Sequence, residues 1–208
     1  MGAADSRLPD APASDADACG ARASSPDASG SGPPGALAAA VLRAELDALY
    51  AEGAAALDER RYDDWLALFD DDCSYVLQPR ENHERGLPLA TMMLESKGML
   101  RDRVHAVGDT LFHAPYYQRH VVGPLRVRRA EAGSVDVEAN YAVFRTKLHA
   151  PTEAFNVGRY VDTLVRAGDG DGRAGGEAAG PAASPWRIRS RLVVFDSELV
   201  LNSLVYPI

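Results

Sequence analysis

An α+β fold, with one curved antiparallel sheet packed around N-terminal helices, is what the sequence predicts. Apolar residues between about 37 and 107 recur mostly at helical spacing, whereas beyond residue 116 the period changes to two. Helices first and consecutive strands afterwards is the order of an α+β domain. The chain is also large enough to bury a real core, with 208 residues of which 46% are hydrophobic.

Residues 1–35 are Ala, Pro, Ser, Asp and Gly with almost no large apolar side chain. Such a segment buries too little surface to offset the entropy of ordering, and we expect a disordered tail. Residues 36–208 are expected to form a single domain. Leu42, Leu46, Leu49, Tyr50, Gly53 and Leu57 share a face of a first helix over about 37–57, and Tyr62, Trp65, Leu66 and Phe69 mark a short second one. Asp70, Asp71 and Asp72 are expected in a turn after that helix, since acids oppose its C-terminal dipole and Asx side chains favour turns. Asp58 and Asp63 are read as helix caps.

"CSYVLQP" then reads as a strand and residues 95–107 as a helix. Four strand candidates follow: "QRHVVGPLRVRR", "SVDVEANYAVFRTKLH", "EAFNVGRYVDTLVRA" and the segment beginning "PWRIRSRLVVF". Val135, Val137, Ala139, Tyr141 and Val143 share one face. In the last strand Trp186, Ile188, Leu192 and Val194 are expected on one side, with Arg187, Arg189 and Arg191 on the other. The Gly- and Ala-rich residues 167–184 read as a flexible hairpin loop.

A net charge of −8 argues against nucleic acid and anionic membrane as partners. No apolar run is long enough for a bilayer, and the first residues lack the pattern of a secretory signal. Cys19 and Cys73 form no spacing motif, so a cytoplasmic chain with reduced thiols is expected. There is no phosphate-binding glycine loop, calcium loop, H-E-x-x-H or G-x-S-x-G. Five histidines, His83, His105, His113, His120 and His149, carry no local metal-ligand spacing. An acid–base pair assembled in three dimensions stays open.

Several phrases in order resemble the small (beta) subunits of aromatic-ring-hydroxylating (Rieske non-heme iron) dioxygenases. They are "LDERRYDDWLALFDDDCSYVLQPREN", "ESKGMLRDRVHAV", "YYQRHVVG" and "WRIRSRLVVFDSELVLNSLVYPI". P-R-E-N, E-S-x-G-M-L-R-D-R and Y-x-R-H look closest to the branch acting on anthranilate, salicylate and terephthalate. Gly123-Pro124 departs from a Ser-Asn pair carried by many relatives. The resemblance implies a cystatin-like (NTF2-like) cone with a structural role and no cofactor of its own. It places the Rieske [2Fe-2S] cluster and the mononuclear Fe(II) on a separate alpha subunit, reduced by NADH through a reductase. It also implies self-association and a hexamer of three alpha and three beta subunits (α3β3).

In that setting Arg80, Glu81, Asn82, Arg101, Arg103, Arg119 and His120 are the interface candidates, because Arg suits interfaces through its planar bidentate fork. The rival is a stand-alone isomerase, dehydratase or hydrolase of the same cone fold, in which His113, His120, Asp102 and Tyr141 converge on a pocket. A binding or oligomerisation module without an obligate partner is a third class.

Overall fold

The computed structural model describes residues 34–110, 114–168, 184–197, 204 and 206–208. The expected tail, apart from its last two residues, His113 and nearly all of the 167–184 loop lie outside them. Helix α1 spans Pro34–Asp58 and α2 Tyr62–Ala67. Leu46, Leu49, Tyr50, Gly53, Ala56 and Leu57 of α1 are buried, which is the three-and-four spacing of one helical face. Trp65 and Leu66 of α2 continue that core.

Strand β1 is Phe69–Pro79, followed by the one-turn helix α3 at Arg80–Glu84 and the short strand β2 at Met92–Leu94. Helix α4 is Lys97–His105, started by Ser96, whose hydroxyl accepts the Met99 N–H at 3.3 Å. It runs on into a π-helical turn at Ala106–Thr110. Strands β3 (Tyr116–Val122), β4 (Arg126–Glu131), β5 (Ser134–Lys147), β6 (Glu153–Arg166) and β7 (Trp186–Phe195) complete a seven-stranded sheet. Its order is β2-β1-β7-β6-β5-β3, with β4 also on β5. The mixed helix and curved-sheet arrangement is the NTF2-like α+β cone.

Four expectations about the strands need correction, and Phe69, expected in the second helix, opens β1. The acidic run is not a turn beyond a helix: Asp70–Asp72 lie within β1. Phe69 pairs with Ile188 and Ser74 with Ser190, so residues 70–73 bulge opposite Arg189 alone. The Asx bond is present there nonetheless, with the Asp72 N–H donating to Asp70 Oδ1 at 3.1 Å. Lys97 anchors the bulge by donating to Asp71 Oδ1 at 2.8 Å and to the Phe69 carbonyl at 2.9 Å.

Second, "QRHVVGPLRVRR" is two strands, because Pro124 has no N–H to give a ladder. Both pieces pair with β5, β3 along residues 141–147 and β4 along residues 134–138. Third, the sheet is antiparallel except where β1 runs parallel to β7. Fourth, Arg191 does not share a face with Arg189. Thr163 pairs with Ser190 and Leu164 with Ile188, which leaves Arg189 as an extra residue and reverses the facing of everything after it. Trp186 and Ile188 are buried before the slip, and Arg191, Val193 and Phe195 after it.

One glycine is demanded by packing. A Cβ on Gly158 would lie 2.0 Å from the Val194 carbonyl oxygen and 2.8 Å from Phe195 Cα. Only glycine lets β6 and β7 approach that closely.

Candidate functional site

The interior between α1 and the sheet is polar for a core. Asp162 on β6 and Arg191 on β7 face each other across adjacent strands and form a buried, forked ion pair. Arg191 Nη2 donates to Asp162 Oδ2 at 2.7 Å, and Nε lies 3.2 and 3.1 Å from the two carboxylate oxygens. The Tyr50 hydroxyl of α1 donates to the same Oδ2 at 2.5 Å. The guanidinium also sits 4.5 Å from the centre of the Tyr160 ring and 5.3 Å from that of Tyr50. Burial disfavours the charge on Arg191, but Asp162 outweighs it, and the pKa is raised. Burial, and then the Asp162 carboxylate, push the Tyr50 phenol well above its ordinary value.

A second pair lies near it. Asp58 ends α1, and its carboxylate turns to β3 rather than capping a helix. Oδ1 accepts the His120 backbone N–H at 3.0 Å and lies 2.7 Å from His120 Nδ1. The side chains are 4% and 1% exposed. Asp63 is no cap either; α2 begins after Arg61 without a side-chain cap. His120, Tyr50 and Arg191 line one cavity of about 10 Å³, together with Leu57, Val122 and Tyr160.

Of the four residues named for a stand-alone pocket, two face this interior. His120 meets Asp58 instead of Asp102, which is exposed on α4. Tyr141 is buried, stacked on Tyr160 at 4.4 Å, with its hydroxyl donating to Asn156 Oδ1 at 2.5 Å. His113 is outside the described residues. Leu204 and Ile208 pack into the same core, and Tyr206 into a smaller cluster with Val107 and Tyr116. Arg103 donates to the Leu204 carbonyl at 2.6 Å, Tyr206 packs on Tyr116 at 4.6 Å, and the Tyr75 hydroxyl donates to the Ile208 carbonyl at 2.9 Å.

The interface candidates separate into surface and interior. Arg80 pairs with Glu84 at 2.8 Å and Asp196 at 3.3 Å, and Glu81 with Arg85 at 2.7 Å, all on the surface around α3. Asn82 Nδ2 donates to the Leu89 carbonyl at 2.9 Å. Arg101 is exposed on α4, while Arg103 is turned partly inward. Arg119 is 73% exposed and 3.4 Å from Asp58 Oδ2. His120 points inward and reaches no surface, a correction that follows from alternation along β3.

Among the described residues, no three His, Cys, Asp or Glu side chains gather as a metal ion would require. Nor is any described helix long and apolar enough to cross a membrane. Tyr50 is inward as expected, but its polar role was missed, as were the interior positions of Asp58, Asp162 and Arg191. Asp162 had a signal: it shares its phase in β6 with Tyr160 and Leu164, both inward.

Comparison with known proteins agrees with this architecture. Residues 52–173 match the family model described as ring hydroxylating beta subunit. The chain is 30% identical over 152 residues to the anthranilate 1,2-dioxygenase small subunit of Burkholderia cepacia, covering 73% of this chain and 85% of that one. It is 24% identical over 164 residues to a beta subunit of the terephthalate 1,2-dioxygenase terminal oxygenase component of Comamonas sp, covering 79% and 97%. A crystal structure of a beta subunit ascribed to an aromatic-ring-hydroxylating dioxygenase of Novosphingobium aromaticivorans superposes with a TM-score of 0.69 at 33% identity, covering 82% and 99%. The chain therefore belongs to the ring-hydroxylating beta subunits, the small subunits of aromatic-ring-hydroxylating dioxygenases.

Proposed function

We propose that this chain is the structural beta subunit of an oxygenase that hydroxylates a carboxylated aromatic such as anthranilate or salicylate. The observation that carries the reading is the family match together with the identity to an anthranilate dioxygenase small subunit. In this reading a separate alpha subunit holds the Rieske [2Fe-2S] cluster and the mononuclear Fe(II), NADH supplies electrons through a reductase, and O2 is the oxidant. The assembly is an α3β3 hexamer in the cytoplasm. Residues 36–208 act as one domain within it.

The interior supports a non-catalytic role for this chain. A pocket for an aromatic acid needs about 300–1,000 Å³, and the cavity beside His120 offers about 10 Å³. The stand-alone enzyme gains one specific observation, the buried Asp58–His120 pair, yet that pair has no room for an organic substrate. The outer face of the sheet carries Tyr117, Val121, Phe144 and Val157, all exposed, and is the surface that self-association would cover. Arg80, Glu81, Asn82, Arg101 and Arg119 stay the candidates for contact with the alpha subunit.

The test is co-expression with a ring-hydroxylating large-subunit coding sequence from the same source, followed by co-purification and native mass measurement. Equal stoichiometry and iron confined to the partner are expected. A chain that stays alone beside a soluble, iron-loaded partner, or that turns over a small substrate unaided, overturns the reading. Arg119→Ala, which removes an exposed side chain, is expected to weaken co-purification while leaving the far-ultraviolet circular dichroism unchanged.

A further inference from the structure

Among the buried side-chain atoms for which the described residues supply no hydrogen-bond partner, His120 Nε2 is the one whose side chain lines the cavity beside Tyr50 and Arg191. It is buried and has no hydrogen-bond partner among the described residues. Leaving such an atom bare forfeits its hydration with nothing in return, and buried polar atoms in folded proteins are nearly always matched. The ring's other nitrogen narrows what Nε2 can be. Nδ1 lies 2.7 Å from Asp58 Oδ1, and the same oxygen already accepts the His120 backbone N–H. An ionised carboxylate only accepts, so Nδ1 carries the proton. In the neutral ring Nε2 is then a bare acceptor.

The side chain that carries it lines a cavity of the size of one small molecule. Its volume, about 10 Å³, matches the roughly 10–15 Å³ that one water requires. An organic ligand or a hydrated ion is far larger. The other polar side chains on that wall have suitable valences. Tyr50 spends its proton on Asp162, so its oxygen can accept. Arg191 offers only donors. A water can therefore donate to Nε2 and to the Tyr50 oxygen while accepting from Arg191, within the two to four partners that buried waters use.

We infer that the interior of the cone holds one ordered water, donating to His120 Nε2 and joining the Asp58–His120 pair to the Tyr50–Asp162–Arg191 cluster. The two polar groups then form a single network reaching from α1 across β3, β6 and β7. This assignment goes beyond the subunit reading and does not depend on it, because it concerns only the folded interior of this chain.

The experiment uses the full wild-type chain, so no variant has to fold. Long-range 1H–15N correlation spectra of the histidine rings report which nitrogen of His120 is protonated. Water-to-protein rotating-frame cross-relaxation then reports a bound water at its ring. A crystal structure with ordered solvent places that water. We expect a proton on Nδ1, an unprotonated Nε2 shifted as a hydrogen-bond acceptor, a water cross-peak to the His120 ring, and a solvent peak within about 3.2 Å of Nε2. A proton on Nε2, in a neutral or a cationic ring, overturns the assignment. So does a dry cavity, seen as the absence of both the cross-peak and the solvent peak.

Discussion

Arg191→Met tests the largest electrostatic commitment in the interior. Methionine keeps much of the apolar bulk of the arginine stem but removes the charge. Asp162, whose side chain is fully buried, then loses its counter-ion and keeps only the Tyr50 hydroxyl. Removing one partner of a buried pair costs about 3–5 kcal/mol, because the remaining charge is uncompensated. For a domain of 150–250 residues each kcal/mol lowers the melting midpoint by about 2–4 °C, so a fall of roughly 6–20 °C is expected. Urea unfolding of the isolated chain, followed by circular dichroism, measures the loss directly. Replacing the whole cluster is the complementary arm. Tyr50→Phe, Asp162→Leu and Arg191→Met together leave no charge or hydroxyl stranded, and this triple variant should recover most of the stability. A single-variant loss below about 1 kcal/mol, or a triple variant no more stable than the single, would refute this reasoning.

Alkali provides a second test. Burial pushes the Tyr62, Tyr75 and Tyr116 phenols up to about 12, against an ordinary value of about 10. A raised folded pKa means the native state holds its protons longer, so this stability is present below about pH 10 and is lost as pH climbs towards 12. Denaturation midpoints should fall across that window; tyrosinate absorbance appearing at pH 10 for every tyrosine, with the fold intact, would contradict it. Gly158→Ala should cost about 3 kcal/mol or more by forcing β6 off β7, and a melting temperature within a degree of wild type would show the contact is easily relieved. Tyr75→Phe removes the hydroxyl bonded to the Ile208 N–H and carbonyl, at a cost of about 1–3 kcal/mol. Carboxypeptidase should trim that variant faster than wild type, and equal rates would mean the segment is held by packing alone.

Elements with a pure period were legible in the sequence, and those that depend on a phase slip or on distance were not. The apolar face of α1 and the alternation from Val135 to Val143 appear where expected, because nothing interrupts 3.6 or 2 along them. In β7 the alternation fails. Trp186 and Ile188 fix one phase, while Arg191, Val193 and Phe195 fix the other. The unbroken apolar run Leu192–Phe195 was the available sign that one phase could not serve the whole strand. The Asp58–His120 pair gave no local sign, since it joins residues 62 positions apart. Parallel pairing of the first and last strands is a property of topology, which hydrophobic period does not encode. The surface candidates Arg80, Glu81, Asn82, Arg101 and Arg119 came from a resemblance, and the fold only shows which of them reach solvent.

The β1–β7 pairing also sets an order in time. As the chain emerges from the ribosome, β1 can recruit only the three residues of β2, while its long parallel neighbour is still unsynthesised. Until Trp186–Phe195 arrives, the backbone donors and acceptors of Phe69–Pro79 have one open side, and Tyr75 and Leu77 lack much of their cover. Joining such distant segments requires closing a long loop before any contact rewards it, which slows folding and leaves strand edges exposed to other chains. The sheet closes last at its centre rather than at its rim. A nascent chain stalled before β7 is therefore the species whose β1 edge stands most open to other chains, and release of Trp186–Phe195 is the step that covers it.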